Sequence, residues 1–332
     1  MKIKVYLIFI MFIFSLDVYG QLKIEINNVR EEWLLGEPIR IGIYLKNESK
    51  GILRTYRSLM RFSSASSLKL YISPMEGVEK MPERTEEEII NQIYEYEPLW
   101  EYRREIGLFD YIIKKAGIYR VKVVYDVRIE GSNYLDKGVY LGPSESNEIE
   151  IKVKEPAGID LEAYNYFKGF PIAYGEELLE KYPTSTYAGW ALINRGSGAL
   201  LNFATGKELL DDLLLPYNQR KGFQGRLDDR YKDKSKWLTP EDIAEEYERY
   251  AEAYLSLHSE EDLSLIIYMR LAMAKAALGK WQESYEAAEK SLAKEWPKWY
   301  INQAPRIVEG WRKILIEYKD ELIKRGFAKR SN

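Results

Sequence analysis

The chain has 332 residues and 46% hydrophobic content, enough for two domains that each bury a core. Its 49 basic and 52 acidic residues give a formal net charge of −3, so it lacks the basic surplus that draws proteins to nucleic acid or anionic lipid. It has no cysteine, which excludes disulfides, thiolate metal sites and a lipid-bearing lipoprotein cysteine.

Residues 1–20 are read as a secretory signal peptide. Lys2 and Lys4 precede an apolar run from Val5 to Phe14, and Val18-Tyr19-Gly20 places cleavage before Gln21. An uncleaved anchor is the alternative, although the run is short for a membrane span. Cleavage would leave 47 basic against 51 acidic residues. The expectation is an exported protein, periplasmic or extracellular, not a lipoprotein, with no stable membrane insertion once the signal is removed.

From residue 21 to 155 the pattern has period two. Leu22, Ile24 and Ile26 alternate with polar residues, followed by Ile39, Ile41, Ile43 and Leu45, then Leu68, Leu70 and Ile72. Tyr119, Val121, Val123 and Tyr125 form a late strand, and Ile149, Ile151 and Val153 the last. Gly36-Glu37-Pro38 and Asn47-Glu48-Ser49 supply turns, so the region is predicted to be an antiparallel sandwich. Gly117-Ile118-Tyr119 at the start of a strand resembles the tyrosine corner of immunoglobulin-like domains. Leu35-Gly36-Glu37-Pro38-Ile39 is similar to exported bacterial modules of that kind. The resemblance implies a sandwich fold and a Tyr119 hydroxyl bonded back to the chain. An insertion starts with the capping box Thr85-Glu86-Glu87-Glu88 and continues into Tyr94-Glu95-Tyr96-Glu97-Pro98-Leu99-Trp100. It is either a docking loop or a cover for one end of the sandwich.

Residues 156–332 are predicted to be helical. Asp160 is placed to cap a helix carrying Leu161, Tyr164 and Phe167, and Pro171 opens the next. Ser185 is placed to cap a helix with Tyr187, Trp190, Ala191 and Ile193. Lys207–Leu215 is a short helix, Thr239-Pro240-Glu241-Asp242 starts a long one, and Ser259-Glu260-Glu261-Asp262 repeats that start signal. Two helices then meet at Gly279. The first is apolar nearly all round, and the second has the stripe Trp281, Tyr285, Ala288 and Leu292. The last runs from about Pro305 to Arg325, with Ile307, Trp311, Ile314, Leu315, Tyr318 and Leu322 inward and Gly326 as its stop.

The Gly279 hairpin resembles a tetratricopeptide repeat (TPR). Tyr268, Leu271 and Ala272 match its first helix, Gly279, Trp281, Glu283, Ser284 and Ser291 its second, and Pro297 the exit. Lys275 departs from the pattern, which has a bulky apolar residue there. Leu178 to Ala188 resembles a junction between such repeats. Pro183 and Pro297 lie 114 residues apart, about three repeats of 34 plus extra chain. The resemblance implies an all-α, TPR-like stack of helical hairpins, and hence a multidomain β + α chain.

No constellation for catalysis stands out. The single histidine, His258, lies at a helix end and is expected to interact with that helix's carbonyls. Ser66-x-x-Lys69 and Ser291-x-x-Lys294 match a Ser–Lys spacing by letter only. Asp228, Asp229 and Asp233 lack a calcium-loop spacing, and Gly206-Lys207 lacks a phosphate loop. No metal or cofactor is expected, and the chain is not expected to be an enzyme.

Two features could bind a macromolecule. Residues 217–237 hold seven basic residues (Arg220, Lys221, Arg226, Arg230, Lys232, Lys234 and Lys236) against three acidic ones, either an anion-facing surface or a solvated loop. Ile266, Met269, Met273 and Ala276 fall where the resemblance puts a concave groove, filled either by this chain or by an apolar peptide. The expected function is non-catalytic protein–protein binding or scaffolding with an unidentified protein or peptide. The alternative is a carbohydrate-binding or carbohydrate-active protein using its 27 Tyr and 8 Trp, such as those in Trp296-Pro297-Lys298-Trp299-Tyr300.

Overall fold

The computed structural model describes residues 22–56, 59, 68–80, 93–108, 111–126, 139–140, 142–195, 204–215, 219, 240–296 and 305–330. Residues 1–20, the capping box at 85–88 and the exit proline Pro297 lie outside them. The chain divides into two compact units, residues 1–155 and 156–332.

The first unit is built of strands. In chain order they are β1 (Leu22–Asn28), β2 (Glu32–Leu34), β3 (Arg40–Asn47), β4 (Leu53–Tyr56), β5 (Leu68–Ser73) and β6 (Val78–Lys80). The chain continues with β7 (Ile93–Tyr96), β8 (Glu101–Gly107), β9 (Tyr111–Ile113), β10 (Gly117–Tyr125), β11 (Ser144–Glu145) and β12 (Ile149–Lys154). One sheet has the order β1-β3-β8, and the other β11-β10-β12-β2 with β5 also on β10. Two small ribbons, β4-β7 and β6-β9, complete the unit.

Each predicted alternating run is buried on its apolar side: Leu22, Ile24 and Ile26 on β1, Ile41, Ile43 and Leu45 on β3, Tyr119, Val121, Val123 and Tyr125 on β10. A one-residue slip would turn each set outward, so burial fixes register. One pairing is parallel, β2 beside β12, with Trp33 opposite Val153. The chain changes sheets between β1 and β2, which brings β2 alongside the last strand in the same direction. Both sheets are tied at Asn147, whose amide bonds Ile26 N and O at 2.9 and 2.8 Å on the outer edge of β1.

Polar side chains set the turns. Gly36 has φ +93°, and the buried Glu37 carboxylate accepts from Leu34 N at 2.6 Å and from Arg30 at 2.9 Å. Asn47 is fully buried and donates to the carbonyls of Gly51, Tyr96 and Glu97. The Tyr119 hydroxyl donates to Lys115 O at 2.6 Å, the bond back to the chain that the Gly-x-Tyr motif implies. The aromatic run at 94–100 divides between β7 and the turn into β8. Tyr96 is buried with its ring 4.3 Å from Trp100, and its hydroxyl accepts from Leu59 N.

The second unit has eight α-helices among the described residues: α1 (Ile159–Tyr166), α2 (Gly175–Lys181), α3 (Thr186–Arg195), α4 (Gly206–Leu213), α5 (Pro240–His258), α6 (Ser264–Ala277), α7 (Trp281–Ala293) and α8 (Pro305–Lys324). A 3-10 turn, Pro171–Tyr174, joins α1 to α2. Ser185 caps α3, its hydroxyl oxygen 3.3 Å from Ala188 N. Asp160 also serves α3, accepting from Thr186 N and Oγ1 at 2.7 and 2.9 Å.

Several details differ from the sequence reading. Asp160 lies in the first turn of α1, after its N-cap Gly158, and does not cap that helix. Pro171 opens the 3-10 turn, and α2 starts only at Gly175. Ser259 does not cap α6, which begins at Ser264, whose hydroxyl donates to Glu261 O. In α7 the buried positions are Ser284, Tyr285, Ala287, Ala288 and Ser291, while Trp281 is half-buried against Phe327 at 5.0 Å. The helix is rotated toward its small residues because they admit a close neighbour. Ser284 Oγ donates to Ala272 O at 2.7 Å and Ser291 Oγ to Leu265 O at 3.0 Å, so α7 lies directly on the α6 backbone. Gly279 joins the pair at φ +72°, the left-handed conformation that ends a helix.

Candidate functional site

The four proposed groove residues lie inside the helical unit. Ile266, Met269, Met273 and Ala276 are exposed by 2%, 2%, 3% and 1%. Helix α6 is apolar on every side and packs against α3, α5 and α7, which leaves these side chains in the core. They line no open groove in this structure. The seven basic residues Arg220, Lys221, Arg226, Arg230, Lys232, Lys234 and Lys236 lie outside the described residues. Of the aromatic run at 296–300 only Trp296 is described; it is buried, 5.7 Å from Trp311.

Lys275, the departure from the repeat pattern, is the centre of a buried ionic cluster. Its residue is 5% exposed, and its ammonium lies 2.8 Å from Glu248, 2.7 Å from Glu252 and 2.6 Å from Glu283. Glu248 also takes Lys280 at 2.7 Å. Burial alone would lower the Lys275 pKa, but the hydrogen bonds it donates to the three carboxylates outweigh that and raise it. Burial pushes Glu248 the other way, and its two lysines overcome that and hold it below the usual carboxylate range. The three carboxylates could group around a cation, and here the cation among them is the lysine's own ammonium. A lysine in a mostly apolar helix is the sequence signal for such a cluster, since a buried ammonium needs partners.

His258 does not bond the carbonyls of its own helix. Its Nδ1 lies 2.6 Å from Glu261 Oε1 and its Nε2 2.8 Å from the Thr184 carbonyl, in the turn between α2 and α3. Its ring stacks on Tyr254 at 4.5 Å.

Exposed apolar side chains gather at the start of the helical unit. Leu161, Tyr166, Phe170 and Tyr174 are 42%, 47%, 41% and 48% exposed, on α1 and the 3-10 turn after it. Of the three residues Leu161, Tyr164 and Phe167 on this helix, only Phe167 is buried. The short α1 has one buried stripe, and the stretch carries more aromatics than that stripe can take. Phe167 anchors the patch, stacked on Tyr174 at 4.9 Å and edge-on to Tyr166 at 4.8 Å. Polar groups frame it: the Tyr166 hydroxyl donates to Glu177 at 2.7 Å and the Lys181 ammonium lies 4.8 Å over the Tyr166 ring.

In the β unit an open cleft of about 800 Å³ runs along β1, bordered by Lys23, Glu25, Glu48, Tyr140 and Glu145. Lys23 is already paired with Glu25 at 2.7 Å, and Glu145 with Lys122. No helix of the described residues is long and apolar enough to cross a membrane.

No protein-family model matches the chain, and no curated protein matches it. Among solved structures, the CARDB domain of a Pyrococcus furiosus protein, determined in complex with di-metal ions, is similar at 10% identity. The match covers 41% of this chain and 90% of that one, with a TM-score of 0.23. Native alpha-2-macroglobulin from Escherichia coli, from domain MG7 to the C-terminus, is similar at 11% identity. That match covers 95% of this chain and 64% of the other, with a TM-score of 0.27. Likenesses this distant carry no functional argument.

Proposed function

We propose that this chain is an exported, non-catalytic binding or scaffold protein. On this reading an immunoglobulin-like sandwich precedes a TPR-like helical stack, which presents the aromatic face of α1 and the following turn to a protein partner. The observation that carries the proposal is that stretch: four large apolar side chains, each more than two-fifths exposed, on 14 consecutive residues. Exposed apolar patches rimmed by polar groups mark interaction surfaces, and aromatic residues are enriched in them. The sandwich reading is supported by the two sheets and the Tyr119–Lys115 bond. The repeat-like reading is supported by the backbone contacts of Ser284 and Ser291. Export rests on the signal-like residues 1–20.

The carbohydrate reading keeps one observation in its favour. Tyr166 and Tyr174 are exposed tyrosines, and Tyr166 lies beside a carboxylate and an ammonium, groups that can flank a sugar ring.

A triple variant, L161S/F170S/Y174S, removes three of the four exposed apolar side chains and keeps the buried Phe167 in place. Cross-linking of the mature chain in its own envelope extract should recover a defined protein that this variant loses, with the circular dichroism unchanged. Recovery of the same protein by the variant would retire the face. Binding of wild type, and not the variant, to an immobilised glycan panel would establish the rival reading instead.

A further inference from the structure

We infer that His258 is a proton-dependent clasp, which holds the α5–α6 turn against the α2–α3 turn when the ring is a cation and releases it when the ring is neutral. Both ring nitrogens face oxygens that only accept: a Glu261 carboxylate oxygen at 2.6 Å and the Thr184 carbonyl at 2.8 Å. A neutral imidazole has a single N–H, so one of the two nitrogens would set a lone pair against an oxygen. Only the imidazolium satisfies both contacts, and they span 74 residues of chain on the Thr184 side.

The surroundings reinforce the charged form. Glu261 is held in place by the Tyr254 hydroxyl, which donates to its other oxygen at 3.0 Å. Asp160, from α1, adds a second negative charge, while its oxygens hold Thr186 at the start of α3. The ring also sits at the C-terminal end of α5, where a helix favours a cation. Among the described residues the charged groups that act on the ring are therefore Glu261 in the α5–α6 turn and Asp160 on α1. The α2–α3 turn contributes an uncharged carbonyl and α5 the Tyr254 ring. Burial opposes the charge, and the two carboxylates and the carbonyl outweigh it, raising the histidine above its ordinary value.

The sign of the pH dependence follows. A group whose folded pKa exceeds its unfolded one contributes stability that is complete below the unfolded value of about 6.5 and is lost as pH rises through the folded value. The clasp is therefore closed in mildly acidic solution and opens on the alkaline side. This inference does not depend on what the aromatic face binds.

The chain has one histidine, so its ring signals are unambiguous. Histidine-selective ¹⁵N labelling of the full mature chain should give a titration midpoint above about 6.5, with both nitrogens protonated at that pH. Glu261→Gln should lower the midpoint. The stability difference between wild type and His258→Gln should shrink as pH rises past the wild-type midpoint. A midpoint at or below the ordinary value, or a neutral ring at pH 6.5, would overturn the clasp. Should His258→Gln fail to fold, the wild-type titration and Glu261→Gln still decide.

Discussion

At the scale of single residues, Lys275 shows how one charge is accommodated in an apolar helix. Removing one partner of a buried ion pair leaves the other without compensation, which costs about 3–5 kcal/mol when both are fully buried. Glu252 and Glu283 are half-exposed here, and Glu248 keeps Lys280, so the cost is discounted. Lys275→Met is expected to destabilise the helical unit by about 2–3 kcal/mol in urea unfolding followed at 222 nm. Adding Glu248→Leu should recover part of that loss, because the buried carboxylate then left with Lys280 alone goes with it. A loss below about 0.5 kcal/mol for the single variant would mean that the cluster is solvated.

At the scale of elements, close approach decides what a position tolerates. A Cβ on Gly206 would lie 2.1 Å from Tyr318 N and 2.4 Å from Ile314 O, both backbone atoms of α8. Helix α4 therefore begins in direct contact with α8, and Glu317 accepts from Gly206 N at 2.9 Å. Gly310, in the interior of α8, has open space around it. The same substitution should act with opposite sign at the two sites. Gly206→Ala should cost about 3 kcal/mol by forcing the helices apart, whereas Gly310→Ala should stabilise by about 0.5–1 kcal/mol. Thermal melts of the two variants beside wild type check both, and a neutral Gly206→Ala would disprove the contact. Trp281 belongs at this scale too. It is half-buried on Phe327, so its truncation should cost less than the roughly 3–5 kcal/mol of a fully buried aromatic.

At the scale of the whole molecule, each unit carries its own core. Residues 21–155 expressed alone should give a β-type circular dichroism spectrum with dispersed amide signals, and residues 156–332 a helical one. An unfolded spectrum from either would show that its core needs the rest of the chain.

Much of this was written in local pattern. Alternation placed the strands, because a sheet face repeats every two residues and burial penalises any slip. Gly279, Gly326 and Ser185 marked helix ends, because left-handed backbone and capping hydroxyls are properties of a few residues in sequence. The Gly-x-Tyr motif specified the Tyr119 bond, which reaches only four residues back. Distance decided the remainder. No local signal pairs His258 with Thr184, Lys275 with Glu248, or Gly206 with Tyr318, since each needs separate elements to pack together. The same holds for the groove residues and the aromatic face: amphipathic pattern shows that a side chain is apolar, and only the packed neighbours determine whether it ends in the core or in water.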